Sequence, residues 1–92
     1  MSVIAMKRQH SRGLDAAREQ AEKIAQDLSS QFGVTYHWDD SKLRVKGAGA
    51  KGHMIVTADT LDLKLELSFV LRPFKRRIEQ EMINYLDAFC QS

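Results

Sequence analysis

Apolar residues along this chain keep two different periods, and the change between them sets out the fold. From Leu14 they fall at Leu14, Ala17, Ala21, Ile24, Ala25 and Leu28, while Arg18, Glu19, Glu22, Lys23 and Asp27 hold the opposite side. Steps of three and four make one stripe of an amphipathic helix. The stripe is rich in alanine, so this helix is expected to lie close to whatever it covers. Ser11 or Gly13 is available to cap its start, and Gly33 suits the left-handed position that ends it. Ahead of it, Val3 to Arg8 reads as a short edge or peripheral strand with Ile4 and Met6 on one side.

After Gly33 the period becomes two. Val34, Tyr36 and Trp38 alternate with polar neighbours, as do Leu43 and Val45, then Met54, Val56 and Ala58, then Leu61, Leu63, Leu65 and Leu67. Four half-buried strands with short connections predict an antiparallel meander. Tight turns at Asp40-Ser41, Gly49-Ala50 and Asp59-Thr60 keep every apolar residue on one face, which a one-residue slip would destroy. These registers place Trp38 opposite Leu43, Tyr36 opposite Val45, Val45 opposite Met54 and Val56 opposite Leu63. After "SFVL" and Arg72, Pro73 suits the first turn of a last helix, with Phe74, Ile78, Met82, Tyr85, Leu86 and Phe89 as its apolar stripe. The predicted fold is α+β, β-α-β-β-β-β-α, with two helices on one face of an antiparallel sheet and the other face open.

Composition narrows the function. The chain has 92 residues, 43% hydrophobic and 28% charged, which suits one domain, residues 1–92, with one core. A net charge of +2 implies no general affinity for nucleic acid, so basic character must be local. The single cysteine, Cys90, excludes an internal disulfide and a cysteine-rich zinc site. His10, His37 and His53 lie on different elements without metal-ligand spacing, and no nucleophile-base set can be assembled; His10 is expected to hydrogen-bond or cap in its loop. No run approaches the ~20 apolar residues of a membrane span, and the start is too short and too interrupted for a signal peptide. The expectation is a cytoplasmic protein that is not an enzyme, with no cofactor and no metal.

Gly47, Gly49 and Gly52 have the Gly-x-Gly-x-x-Gly spacing of dinucleotide-binding folds. That motif holds pyrophosphate at the start of a following helix. Here an alternating strand follows, so the glycines read as hairpin residues, Gly49 at the first central position of a type II′ turn, with Gly47 and Gly52 relieving crowding or marking a bulge. On the open face the registers give the rows Asp39, Lys42, Thr57, Asp62 and Thr35, Lys46, His53, Glu66, both self-compensated. The middle row, His37, Arg44, Ile55, Lys64, is basic, either a solvated face or a dock for an acidic partner or a second copy. Arg72, Lys75, Arg76 and Arg77 gather at the last helix's start, where the macrodipole disfavours cations. Partner binding is therefore assigned to Arg72, Lys75, Arg76, Arg77, Arg44 and Lys64. The alternative is an apolar-ligand cleft between the last helix and the sheet, walled by Tyr36 and Trp38.

The strings "RQHSRGLDAAR", "GAKGHMIVTAD" and "FKRRIEQEMINYLDAF" carry Arg8, His10, Ser11, Gly13, Gly49, Gly52, Phe74, Lys75, Ile78, Glu79, Leu86 and Asp87. In these the whole chain resembles the small bacterial polyhydroxyalkanoic acid system proteins, with Arg12 standing where members often carry an apolar residue. The resemblance implies association with polyhydroxyalkanoate granules, their proteins or their metabolism, and it brings no catalytic residue. A homodimer through the open face or an edge strand is a further expectation, as is an acyl or hydroxyacyl ligand for the cleft.

Overall fold

The computed structural model describes residues 2–90. Strand β1 (Ser2–Gln9) leads to helix α1 (Leu14–Phe32), then to β2 (Thr35–Asp39), β3 (Lys42–Lys46), β4 (Ala50–Val56) and β5 (Thr60–Leu67). A 3₁₀ turn, Arg72–Phe74, opens helix α2 (Lys75–Cys90). The sheet order is β1-β5-β4-β3-β2 with every pair antiparallel, so the four-strand meander gains β1 beside β5. The α+β class and the element order are as the periodicity predicts.

Both helices cover one face. Helix α1 lies over β2 to β5, and α2 lies against β1. Ala17, Ala21, Ile24, Ala25 and Leu28 meet Leu43, Met54, Val56, Leu61 and Leu63 in the same core that takes Ile78, Met82 and Leu86. Alanines let α1 approach the sheet, and the longer side chains of α2 fill the wider gap. Gly33 ends α1 at φ 72°, its N–H donating to the Ser29 carbonyl at 2.9 Å. Gly13 stands at the N-cap with φ 88°, and no side chain caps that end. Two expected core residues lie at the helix ends and are exposed instead, Leu14 and Phe74 each at 43%.

The β2–β3 register is as predicted, with Trp38 opposite Leu43. The next two hairpins are not. Leu43 faces Met54, Val45 faces Gly52, and Val56 faces Leu61, so each pairing slides by two residues. An even slide preserves the in-out alternation, so hydrophobic pattern alone does not exclude it. Gly49 also has no positive φ, which rules out the type II′ position assigned to it. Instead a Cβ there would stand 2.7 Å from Leu71 Cγ, and one on Gly47 would stand 2.7 Å from Val34 Cγ1. These glycines admit neighbours to the backbone.

Candidate functional site

The chain leaves the sheet at Leu67 and turns sharply before α2. The Ser68 N–H donates to the Gly49 carbonyl at 3.0 Å, and the Leu71 N–H donates back to the Ser68 carbonyl at 3.1 Å. Leu71 is buried against Gly49, and its carbonyl accepts the Phe74 N–H at 2.9 Å. With both feet of the turn fixed, the two residues between them project outward. Phe69 is 81% exposed and Val70 58% exposed. Arg72 and Arg76 are exposed beside them and Lys75 is half-buried. Arg77 is tied back, its Nε 3.8 Å from Glu81 Oε1 and its guanidinium donating to Gln31 Oε1 at 3.4 Å. The result is an apolar apex bordered by cations.

Of the basic residues singled out in the sequence, Arg72, Lys75 and Arg76 border this apex, and Arg77 follows on the same helix start but turns back to Glu81 and Gln31. Arg44 and Lys64 do not join them. They lie on the open sheet face, opposite the helices. The observed registers replace the expected rows there: His37, Arg44, His53, Lys64 and Ala5 now stand side by side, and Ile55 moves between Lys42 and Asp62. Lys46 faces Lys51 directly. Asp39 pairs with Arg44 at 3.4 Å and Glu66 with Lys51 at 3.7 Å. His53 is held below its ordinary 6.5 by partial burial first, then by Lys42 and Lys64; Asp62 opposes and Arg44 adds to the lowering. A depression of about 300 Å³ lies over this row.

The Arg-x-His-Ser segment and the Leu-Asp of the last helix meet at the far end of β1. Arg8 Nε donates to Asp87 Oδ1 at 3.3 Å. His10 is buried: its N–H donates to the Asp59 carbonyl at 2.9 Å, and its Nδ1 accepts the Arg12 N–H at 3.2 Å. The His10 ring lies 5.1 Å from that of Phe89 at 58°, and the Arg12 guanidinium stands 5.1 Å over the same ring. These residues clamp the first strand to the end of α2, and His10 fills the hydrogen-bonding role expected of it. The model of the family described as "Putative polyhydroxyalkanoic acid system protein" matches residues 4–89. The chain belongs to that family. Neither the curated proteins nor the solved structures include a match to it.

Tyr36 and Trp38 do not wall a cleft under α2. Trp38 lies against α1, its Nε1 donating to Glu22 Oε1 at 3.1 Å and its ring capped by the Arg18 guanidinium at 4.1 Å. A groove of about 560 Å³ does separate the helices, and its wall is mixed, with Gln20, Lys23, Asp27 and Glu81 beside Tyr85, Ala88 and Phe89. Tyr85 in that groove has its phenol pushed above 10.0 by burial and then by Asp27. Among the described residues no helix is long and apolar enough to cross a membrane, and no cluster of His, Cys, Asp or Glu suits a metal.

Phe69 and Val70 are the surface residues that the sequence reading passed over, and His53 is the one it placed in the wrong row. Phe69 and Val70 belong to "SFVL", which reads only as the connection ahead of Arg72-Pro73. The signal available was the turn itself, two large apolar residues next to Arg72-Pro73. His53 was hidden by the two-residue slide.

Proposed function

We propose that this polyhydroxyalkanoic acid system protein is a non-enzymatic accessory factor that attaches to the surface of the cytoplasmic storage granule. The exposed Phe69-Val70 apex carries the reading. Apolar side chains held out on a rigid turn have no folding role, and burial at a polyester or lipid boundary would remove them from water. Arg72, Lys75 and Arg76 border the same apex and favour an anionic layer or an acidic granule protein. Apolar insertion and a basic patch together give a stable anchor where one alone is marginal.

Full burial of such side chains contributes roughly 1.5–3 kcal/mol each. Scaled by the exposures of 81% and 58%, the pair contributes about 2–4 kcal/mol. Co-sedimentation with purified granules tests this, comparing wild type, a Phe69→Ser/Val70→Ser variant and an Arg72→Gln/Lys75→Gln/Arg76→Gln/Arg77→Gln variant. The apolar variant is expected to lose about 30-fold or more in partition at any salt. The charge variant is expected to lose the salt-dependent part. Undiminished binding by a folded apolar variant overturns the proposal.

A further inference from the structure

We propose that the open sheet face is a second and independent site, which binds a diphosphate group across β3, β4 and β5 through Arg44, His53 and Lys64. The register sets these three residues directly abreast, with His37 next in the row on β2. Neighbouring strands lie ~4.8 Å apart, so the three groups span about 10 Å. That span suits two linked phosphates, which would take charge-assisted hydrogen bonds from each.

Charge balance favours an anion. Directly opposed like charges destabilise a sheet, yet this face sets Lys46 against Lys51 and places Arg44 and Lys64 on either side of His53. The carboxylates in reach are few. Asp39 is paired with Arg44, so the anion would take Arg44 over from it; Glu66 lines the depression but is paired with Lys51, and Asp62 stands one row away, opposite Ile55. The depression of about 300 Å³ over the row gives the ligand a seat, with Val45 and Gly52 at its floor, whose side-chain positions turn to the core. The same surplus of cations argues against a second copy of the chain packing face to face.

The site would work through side chains on a sheet, not through a glycine loop at a helix start, and it does not rest on the granule reading. The test is a titration of the whole protein with inorganic pyrophosphate at constant ionic strength, followed by calorimetry and by the ring resonances of His37 and His53. Saturable binding is expected, with His53 titrating at higher pH when pyrophosphate is bound, because the anion favours the imidazolium over the repulsion from Lys42, Arg44 and Lys64. Arg44→Gln/Lys64→Gln, both at exposed positions, is expected to weaken binding about tenfold or more. The Phe69→Ser/Val70→Ser variant should bind as wild type does. The proposal is overturned by non-saturating shifts, by undiminished binding in the Arg44/Lys64 variant, or by a polyglutamate peptide displacing pyrophosphate at equal or lower concentration. The last result would make the face a dock for an acidic protein.

Discussion

Gly52→Ala asks whether the glycine spacing in "GAGAKGH" serves packing or a ligand. A Cβ at residue 52 would overlap the Lys64 carbonyl oxygen and stand 2.9 Å from Leu65 Cα. Both obstacles are backbone atoms of β5, so no rotamer change relieves them. Strands β4 and β5 must separate between the pairs Lys51–Glu66 and His53–Lys64. Overpacking contributes about 1–3 kcal/mol of destabilisation, and loss of one or two ladder hydrogen bonds adds about 1 kcal/mol each. The alanine's lower unfolded-state entropy offsets under about 1 kcal/mol, leaving roughly 2–4 kcal/mol. At an unfolding entropy of ~2.1 cal/mol/K per residue, 92 residues lose about 5 °C per kcal/mol, so the melt should fall by about 10–20 °C. Gly49→Ala meets only the Leu71 side chain, which can shift, and should lose about 5–10 °C. Far-UV circular dichroism melts of the two variants and wild type decide it. A Gly52→Ala melt within about 3 °C of wild type, or a greater loss in Gly49→Ala, would refute the reasoning.

Ile78→Ala removes a fully buried side chain at the middle of the α2 stripe and should destabilise by about 2–5 kcal/mol in urea melts. Phe69→Ser/Val70→Ser, by contrast, should change the urea midpoint by no more than about 0.5 kcal/mol equivalent, because both residues project into water. The His53 prediction concerns pH. Its folded pKa lies below 6.5, so just under pH 6.5 the unfolded chain holds more protons and acid favours unfolding. Stability should therefore fall as pH drops from 6.5 toward the folded value and level off below it. His53→Gln should flatten that slope in urea melts at about pH 7.5 and about pH 5.5 and leave the neutral-pH value nearly unchanged.

How much of this was legible in the sequence depends on which periodicity carried the information. Alternation from Leu61 to Leu67 reveals which side chains face the core, because each lies opposite an apolar partner in β1 or β4. It does not reveal which partner, since a slide by two residues keeps every face. The connections decide that, and here Gly47 and Gly49 are small because Val34 and Leu71 press on them. Such long-range packing leaves no local pattern. The consequence reached the surface: His53 was expected in a compensated row with Glu66 and stands instead between Arg44 and Lys64. The stripe of α2 had the right middle and the wrong start, because Phe74 precedes the helix and is 43% exposed, its ring 6.4 Å from that of Phe32.

The net charge of +2 hides how the charge is distributed. The open face carries Lys7, Lys42, Arg44, Lys46, Lys51 and Lys64 against Asp39, Asp62 and Glu66, a surplus of three cations that already exceeds the whole chain's net charge. The rest of the chain then holds eight cations against nine carboxylates, and apart from its basic start at Arg72 to Arg77 it is clearly acidic, four cations against nine carboxylates. Cations are thus held in two separate places, one beside an apolar apex and one on a sheet face that lacks large aromatics. The first has the composition of an anchor, where apolar burial supplies affinity and charge supplies orientation. The second has no large apolar side chain held out like Phe69, so its affinity for an anion should come mainly from charge and fall steeply with salt. An attached protein could therefore keep its sheet face open to a soluble anion, and salt should separate the two activities in one preparation. Granule binding should persist at ionic strengths that abolish pyrophosphate binding.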